Sequence, residues 1–431
     1  MHTLEQLRSG ALAGIRRLDL SAGLDHFPSE IFGLADTLEV LNLSGNRLAS
    51  LPHDLARLHR LKIIFCSDNP FTALPDVLGE CQQLRMVGFK ACRIAHVPAA
   101  ALPPQLRWLT LTDNAIAQLP YELGERTALQ KLMLAGNRLR ALPDSLAQAA
   151  NLELLRLSAN RFETLPTWLT QLARLSWLAL AGNPLGWYHT APPALPTVPW
   201  ADLVQDGLLG EGASGHIYRV HRRSGGESLA LKVFKGAVTS DGLPEHELAA
   251  SLAAGPHPAL TTPCAELSDH PHGARGLLLP LIPEGFVNLA GPPSLDSCTR
   301  DVYAGDMHLP ASTALQVARR MAEALAHLHQ RGVMHGDFYA HNILWHPSTG
   351  EALLGDFGAG TLLPSDNAAQ ARALLALEVR AFGYLLEELV ARMAAGSAAD
   401  GMTLVLQDCL NLVPAQRPAM ADVAWRLSRL A

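Results

Sequence analysis

Leucine recurs through the first 185 residues in the spacing L-x-x-L-x-L, and after two further residues each run reaches an asparagine. Asn46, Asn69, Asn114, Asn137, Asn160 and Asn183 hold that position, Cys92 fills the gap in the series, and Gly23 stands one repeat ahead. The successive spacings are 23, 23, 23, 22, 23, 23 and 23 residues. Side chains alternate across a strand, so the leucines of each run face inward and the positions between them face the other way. A short strand cannot bury its leucines alone, which predicts that neighbouring repeats stack into one continuous core. A buried asparagine at each turn satisfies backbone groups.

From Leu208 the pattern changes. "LLGEGASGHIYRV", the turn "RRSGG" and "LALKVF" read as a β-hairpin with a glycine-rich bend. "EHELAASLAAGPHP" reads as a helix, and "LQVARRMAEALAHLHQRG" as a longer amphipathic helix stopped by Gly332.

The 22–23-residue units, "LEVLNLSGNRLASLP" and "LELLRLSANRFETLP" among them, resemble the leucine-rich repeat family in its short form with an L-P-x-x-L outer segment, over roughly residues 15–185. The resemblance implies an α/β solenoid of about eight repeats. Between the leucines, one concave column reads Val40, Ile63, Met86, Trp108, Lys131, Leu154, Trp177, and the next Asn42, Phe65, Gly88, Thr110, Met133, Arg156, Ala179. This face is largely apolar, and exposed apolar patches mark interaction sites. Ile63, Phe65, Met86, Trp108, Met133, Leu154 and Trp177 are therefore expected to bind a partner: a protein substrate or regulator, or the chain's own second half.

Residues 184–200, "PLGWYHTAPPALPTVPW", hold five prolines and no charged residue, as a semi-rigid spacer would. The expected organisation is a repeat domain at 1–183, the proline-rich linker at 184–200 and a second domain at 201–431. Residues 1–200 carry 18 Lys+Arg against 16 Asp+Glu, and 201–431 carry 16 against 24. The overall charge of -6 argues against a general nucleic-acid binder. No signal peptide and no membrane span are read, and six cysteines without paired spacing suit a reducing, cytoplasmic setting. His257, His270 and His272 flank prolines and read as loop residues.

Gly210-x-Gly212-x-x-Gly215 alone is weak evidence, but it lies between two strands rather than ahead of a helix. With the motifs that follow in order, residues 203–431 resemble a eukaryotic-type protein kinase domain. The whole chain thus resembles a leucine-rich-repeat protein kinase of bacterial type. The resemblance implies a two-lobed α+β fold (lobes 201–281 and 282–431), ATP with Mg²⁺ (or Mn²⁺) as cofactors, and transfer of the γ-phosphate to a protein Ser or Thr. Lys232 of "LALK" would grip the phosphates, paired with Glu247 (Glu245 is the alternative). Leu209, Gly210, Gly212, Gly215, Ile217, Ala230, Leu279, Pro280, Ile282 and Leu344 would surround the nucleotide. In "HGDFYAHN" Asp337 would orient the acceptor hydroxyl, while Asn342 and Asp356 of "DFG" would hold the metal.

Three departures from the family pattern stand out. Gly336 replaces an arginine that in many kinases pairs with a phosphorylated activation loop, Tyr339 replaces a lysine, and A-P-E is missing from a short segment after Gly358. Glu378 replaces an aspartate of the central helix, and Arg417 is left without its usual glutamate partner. These departures keep two other readings open: a nucleotide-binding pseudokinase scaffold, and a phosphotransferase acting on small molecules.

Overall fold

A computed structural model describes residues 1–187, 194–211, 215–235, 241–305 and 307–430. The chain divides into two compact units, one of residues 1–172 with 183–185, the other of residues 173–182 with 186–431. Among the described residues no helix is long and apolar enough to cross a membrane.

The first unit opens with helix α1 (Leu4–Arg8), whose Thr3 and Gln6 form a reciprocal capping box. Seven three-residue strands follow: β1 (Arg17–Asp19), β2 (Val40–Asn42), β3 (Ile63–Phe65), β4 (Met86–Gly88), β5 (Trp108–Thr110), β6 (Lys131–Met133) and β7 (Leu154–Arg156). They pair parallel and in unbroken register, Val40 opposite Ile63, Ile63 opposite Met86, and so on to Lys131 opposite Leu154. The central residue of each strand, a leucine except for Ile64 and Val87, is buried.

The asparagines bind successive repeats. Asn160 donates to Leu134 O and Leu157 O at 2.9 Å each and accepts the Leu139 N–H at 3.0 Å. Asn137 makes the same set one repeat earlier, to Leu111 O, Leu134 O and Ile116 N. Cys92 substitutes with a weaker thiol donor, 3.4 Å from Cys66 O. On the outer side, prolines 75, 98, 120 and 143 open short 3₁₀ turns, where their fixed φ costs nothing. Adjacent turns come so close that a Cβ on Gly124 would lie 2.2 Å from the Ser145 backbone.

The concave columns are less open than their composition suggests. Ile63, Met86 and Leu154 are buried, while Phe65, Trp108 and Met133 are half-buried. Neighbouring repeats cover one another: Phe65 occupies the space that a side chain on Gly88 would need, and Lys131 Nζ sits 4.0 Å over the Trp108 ring. Ile63, Met86 and Leu154 therefore present almost no surface.

The second unit begins with a strand of the same repeat pattern, β8 (Trp177–Ala179). The end of the proline-rich segment forms β9 (Thr197–Pro199), followed by β10 (Leu203–Glu211), β11 (Gly215–Arg222), β12 (Leu229–Phe234), helix α2 (Pro244–Ala254), β13 (Ala265–Ser268) and β14 (Gly276–Pro280). The sheet order is β10-β11-β12-β14-β13-β9, antiparallel except that β9 runs parallel to β13. One face packs a core of Val198, Val220, Leu231, Leu267 and Leu278.

The rest is mainly helical. It comprises β15 (Val287–Asn288), α3 (Ala311–Gln330), β16 (Val333–Met334), β17 (Ile343–Trp345), β18 (Ala352–Leu354), β19 (Thr361–Leu362), α4 (Ala368–Val390), α5 (Ser397–Cys409) and α6 (Met420–Ser428). The small sheets β15-β17-β18 and β16-β19 flank the loop of residues 335–342. Gly332, at φ +67°, ends α3 and turns the chain into β16.

Candidate functional site

Strand alternation decides what β12 offers. Leu231 enters the core, so Ala230 and Lys232 share the opposite face. Cross-strand register adds Ile217, opposite Lys232, and Leu279, opposite Ala230. Gly210 pairs with Ile217, and open space lies where its Cβ would be. Pro280 ends β14 at an exposed position opposite Leu229, Ile282 follows it half-buried, and Leu344 stands in β17 opposite Leu353. Leu209 is exposed on β10, and Gly215 begins β11 tight against the Val233 carbonyl. Gly212 lies outside the described residues.

Lys232 Nζ meets Glu247 Oε1 at 2.6 Å, both side chains being buried, and lies 3.4 Å from Asp356 Oδ1. Glu245 turns instead to Arg275 at 2.9 Å, so Glu247 is the lysine's partner. Burial alone would lower the lysine's pKa, but Asp356 and Glu247 outweigh it and hold the ammonium charged. Asp356 sits at φ +55°, partly exposed, and accepts the Gly358 N–H. Enclosure pushes its pKa upward; Lys232 and that N–H outweigh the effect and keep it below the usual carboxylate value.

The loop of residues 335–342 is fastened at each step. Asn342 Nδ2 donates to Asp337 O at 2.9 Å and to Asp337 Oδ2 at 2.8 Å. His335 Nε2 reaches Gly355 O at 2.9 Å and its Nδ1 accepts the Asp337 N–H at 3.3 Å, which requires the Nε2–H tautomer. His341 pairs with buried Asp301 at 2.7 Å. Glu378, on α4, is fully buried and accepts from His335 N, Gly336 N and His329 Nε2.

The second unit's own β8 closes the far side of this loop. Trp177 stacks on Tyr339 with ring centroids 4.2 Å apart and planes 6° from parallel, and its Nε1–H donates to Phe338 O at 2.8 Å. Trp177 is therefore buried within its own unit, against residues of the chain's second half. The Leu180 N–H donates to the Thr361 hydroxyl, and Arg417 donates to Ala173 O, Ala376 O and Asn411 O. Asp301 and Thr361 carry no signal in spacing or composition, because their roles arise from contacts distant in sequence, while His335 stands in the motif HGD without a sign of its bond to Gly355.

A parallel repeat solenoid followed by a two-lobed domain with a lysine–glutamate pair and an Asp–Asn loop defines the class: leucine-rich repeats joined to a protein kinase domain. Comparison with known families agrees. Residues 203–405 match the protein kinase domain, while residues 127–185 and 37–58 match leucine rich repeats. The DNA damage-responsive serine/threonine-protein kinase RqkA of Deinococcus radiodurans is 30% identical over 158 residues, 35% of this chain and 21% of that protein. The probable inactive serine/threonine-protein kinase roco10 of Dictyostelium discoideum is 30% identical over 123 residues, 27% of this chain and 5% of that protein. A solved leucine-rich-repeat protein of Leptospira interrogans is 28% identical, covering 46% of this chain and 49% of that one, at a TM-score of 0.39. The chain thus spans about a fifth or less of the length of these curated relatives.

Proposed function

We propose that the protein transfers the γ-phosphate of ATP to a hydroxyl, most simply a Ser or Thr of a protein. The observation that carries this reading is the join between the two lobes of the second unit: Lys232, anchored by Glu247, reaches Asp356, while Asn342 holds Asp337. The donor set fits a hard divalent cation. Asp356 offers a partly exposed carboxylate, and Asn342 spends its amide nitrogen on Asp337 and keeps its carbonyl oxygen for a metal. Bound Mg²⁺–ATP would supply the phosphoryl group and neutralise its oxygens.

In this reading the Lys232 ammonium orients the phosphates, and the glycines of the β10–β11 bend let backbone approach them. Asp337 orients the acceptor hydroxyl and takes its proton. Ile217, Ala230, Leu279 and Leu344 give the base an apolar setting. Phe65, Trp108 and Met133, the half-buried members of the concave columns, are the proposed contacts for a substrate or regulator. Asp337→Asn is expected to lower transfer by roughly 10²–10⁴-fold. Equal rates for the two proteins would remove Asp337 from the mechanism.

One observation supports a second acceptor class. Only residues 359–367 separate Gly358 from α4, and Thr361 among them is bonded to β8's flank, leaving little chain with which to hold an extended peptide. Mass spectrometry after incubation with ATP separates the outcomes: phosphorylated Ser or Thr on protein supports the first reading, and transfer to hydroxylated small molecules alone supports the second.

A further inference from the structure

The segment of residues 173–182 carries the repeat pattern, yet within the second unit it meets the loops around Asp337, helix α4 and Arg417. Trp177 lies between Tyr339 and Tyr384, at centroid distances of 4.2 and 5.3 Å, and its indole N–H is spent on Phe338 O. The carbonyl of Leu178 fills the space beside Gly336. Leu180 N–H holds Thr361 Oγ1 at 3.2 Å, and Thr361 in turn donates to Ala359 O. Ala173 O accepts from Arg417 at 2.7 Å. The contacts thus reach the residue before Asp337, the two residues after it, and the strand after Gly358. Phe338 and Tyr339 are buried, so Asp337 has little freedom while they are clamped.

We propose that Trp177 is a positioning residue for Asp337, and that the segment of residues 173–182 braces the loop 335–342 without any phosphorylated segment. The proposal rests on the reading that Asp337 serves phosphoryl transfer. The brace uses no phosphate: one stacked aromatic trio, one indole hydrogen bond, backbone contacts and the Arg417 bond to Ala173 O. No arginine at position 336 is needed, and none would fit beside Leu178 O.

The test uses the full chain with Trp177→Ala and Trp177→Phe, the latter keeping an aromatic ring but losing the N–H donor. Hydrogen exchange of residues 337–342 is expected to speed up at least tenfold in Trp177→Ala, with exchange in β12 unchanged and Trp177→Phe intermediate. In the same proteins kcat is expected to fall at least tenfold while KM for ATP stays within twofold, and phosphatase treatment of the wild type is expected to leave kcat within twofold. Unchanged exchange at 337–342 in both variants overturns the brace, as does exchange that rises equally in β12. A tenfold loss on phosphatase treatment also overturns it. Should Trp177→Ala fail to fold, Trp177→Phe decides by the same two readouts. A wild-type protein without transfer activity would count against the phosphoryl-transfer reading, and the exchange measurement would still decide the brace.

Discussion

The backbone N–H of Gly336 donates to a carboxylate oxygen of Glu378 across 2.6 Å, and the other oxygen takes the N–H of His335 at 3.2 Å. A single buried side chain thus satisfies two consecutive loop donors. In Glu378→Ala both would be buried without acceptors, an expected loss of about 2–4 kcal/mol. Glu378→Gln keeps one acceptor and is expected to lose less. Urea unfolding of the three proteins measures the series. Burial pushes the Glu378 pKa up, but His329 and the loop N–H groups more than reverse this, and the folded value lies below the ordinary one. Its contribution is therefore fully present above about pH 4.5 and fades as pH falls through the folded pKa. The gap between wild type and Glu378→Gln should narrow below that pH.

Gly336 stands at φ +74°, and a Cβ there would lie 2.6 Å from Leu178 O and 2.7 Å from Ala359 O, both backbone atoms. Gly336→Ala is expected to cost about 2–4 kcal/mol, combining left-handed strain with overpacking. Gly336→Arg, which restores the residue usual in the kinase pattern, should cost more and raise no activity. Thermal unfolding and transfer rates together check both statements.

Removing Lys232 leaves Glu247 buried without its partner. Lys232→Met is expected to destabilise by about 3–5 kcal/mol, beyond its effect on nucleotide binding. The double variant Lys232→Met/Glu247→Leu should recover part of that loss. Denaturant titration of the two, with nucleotide absent, separates the structural effect from any role in binding.

His341 provides a titration of opposite sense. Burial lowers its pKa, but the Asp301 hydrogen bond and charge raise it further, and the folded value exceeds the ordinary 6.5. A raised histidine pKa contributes stability that is complete below about pH 6.5 and disappears as pH rises through the folded value. The stability difference between wild type and His341→Asn should therefore be larger at pH 6 than at pH 9. A difference that grows with pH would contradict the assignment.

The repeats were legible because their signal is periodic: an asparagine, replaced once by Cys92, recurs every 22 or 23 residues and makes closely similar bonds in successive repeats. Lys232, Asp337, Asn342 and Asp356 were legible as residue types in order, and geometry chose Glu247 over Glu245. Trp177 was legible as a concave-column residue, but not as the neighbour of Tyr339. Period and propensity describe what a segment presents; what it meets is settled by packing between residues 162 positions apart. Gly336 shows the same limit. Its departure from the kinase pattern was plain in the chain, while its cause, the backbone of Leu178 and Ala359, belongs to the folded unit.

Strand β9 has a mechanical consequence. The proline-rich segment is stitched along β13, with the Glu266 N–H held by Pro196 O and three residues in parallel register. Tension along this segment would load the sheet edge in shear, against several hydrogen bonds at once rather than one at a time. The segment should resist being pulled from the sheet better than its proline content suggests, and when it yields, the sheet that carries Lys232 would be the first structure to feel the pull.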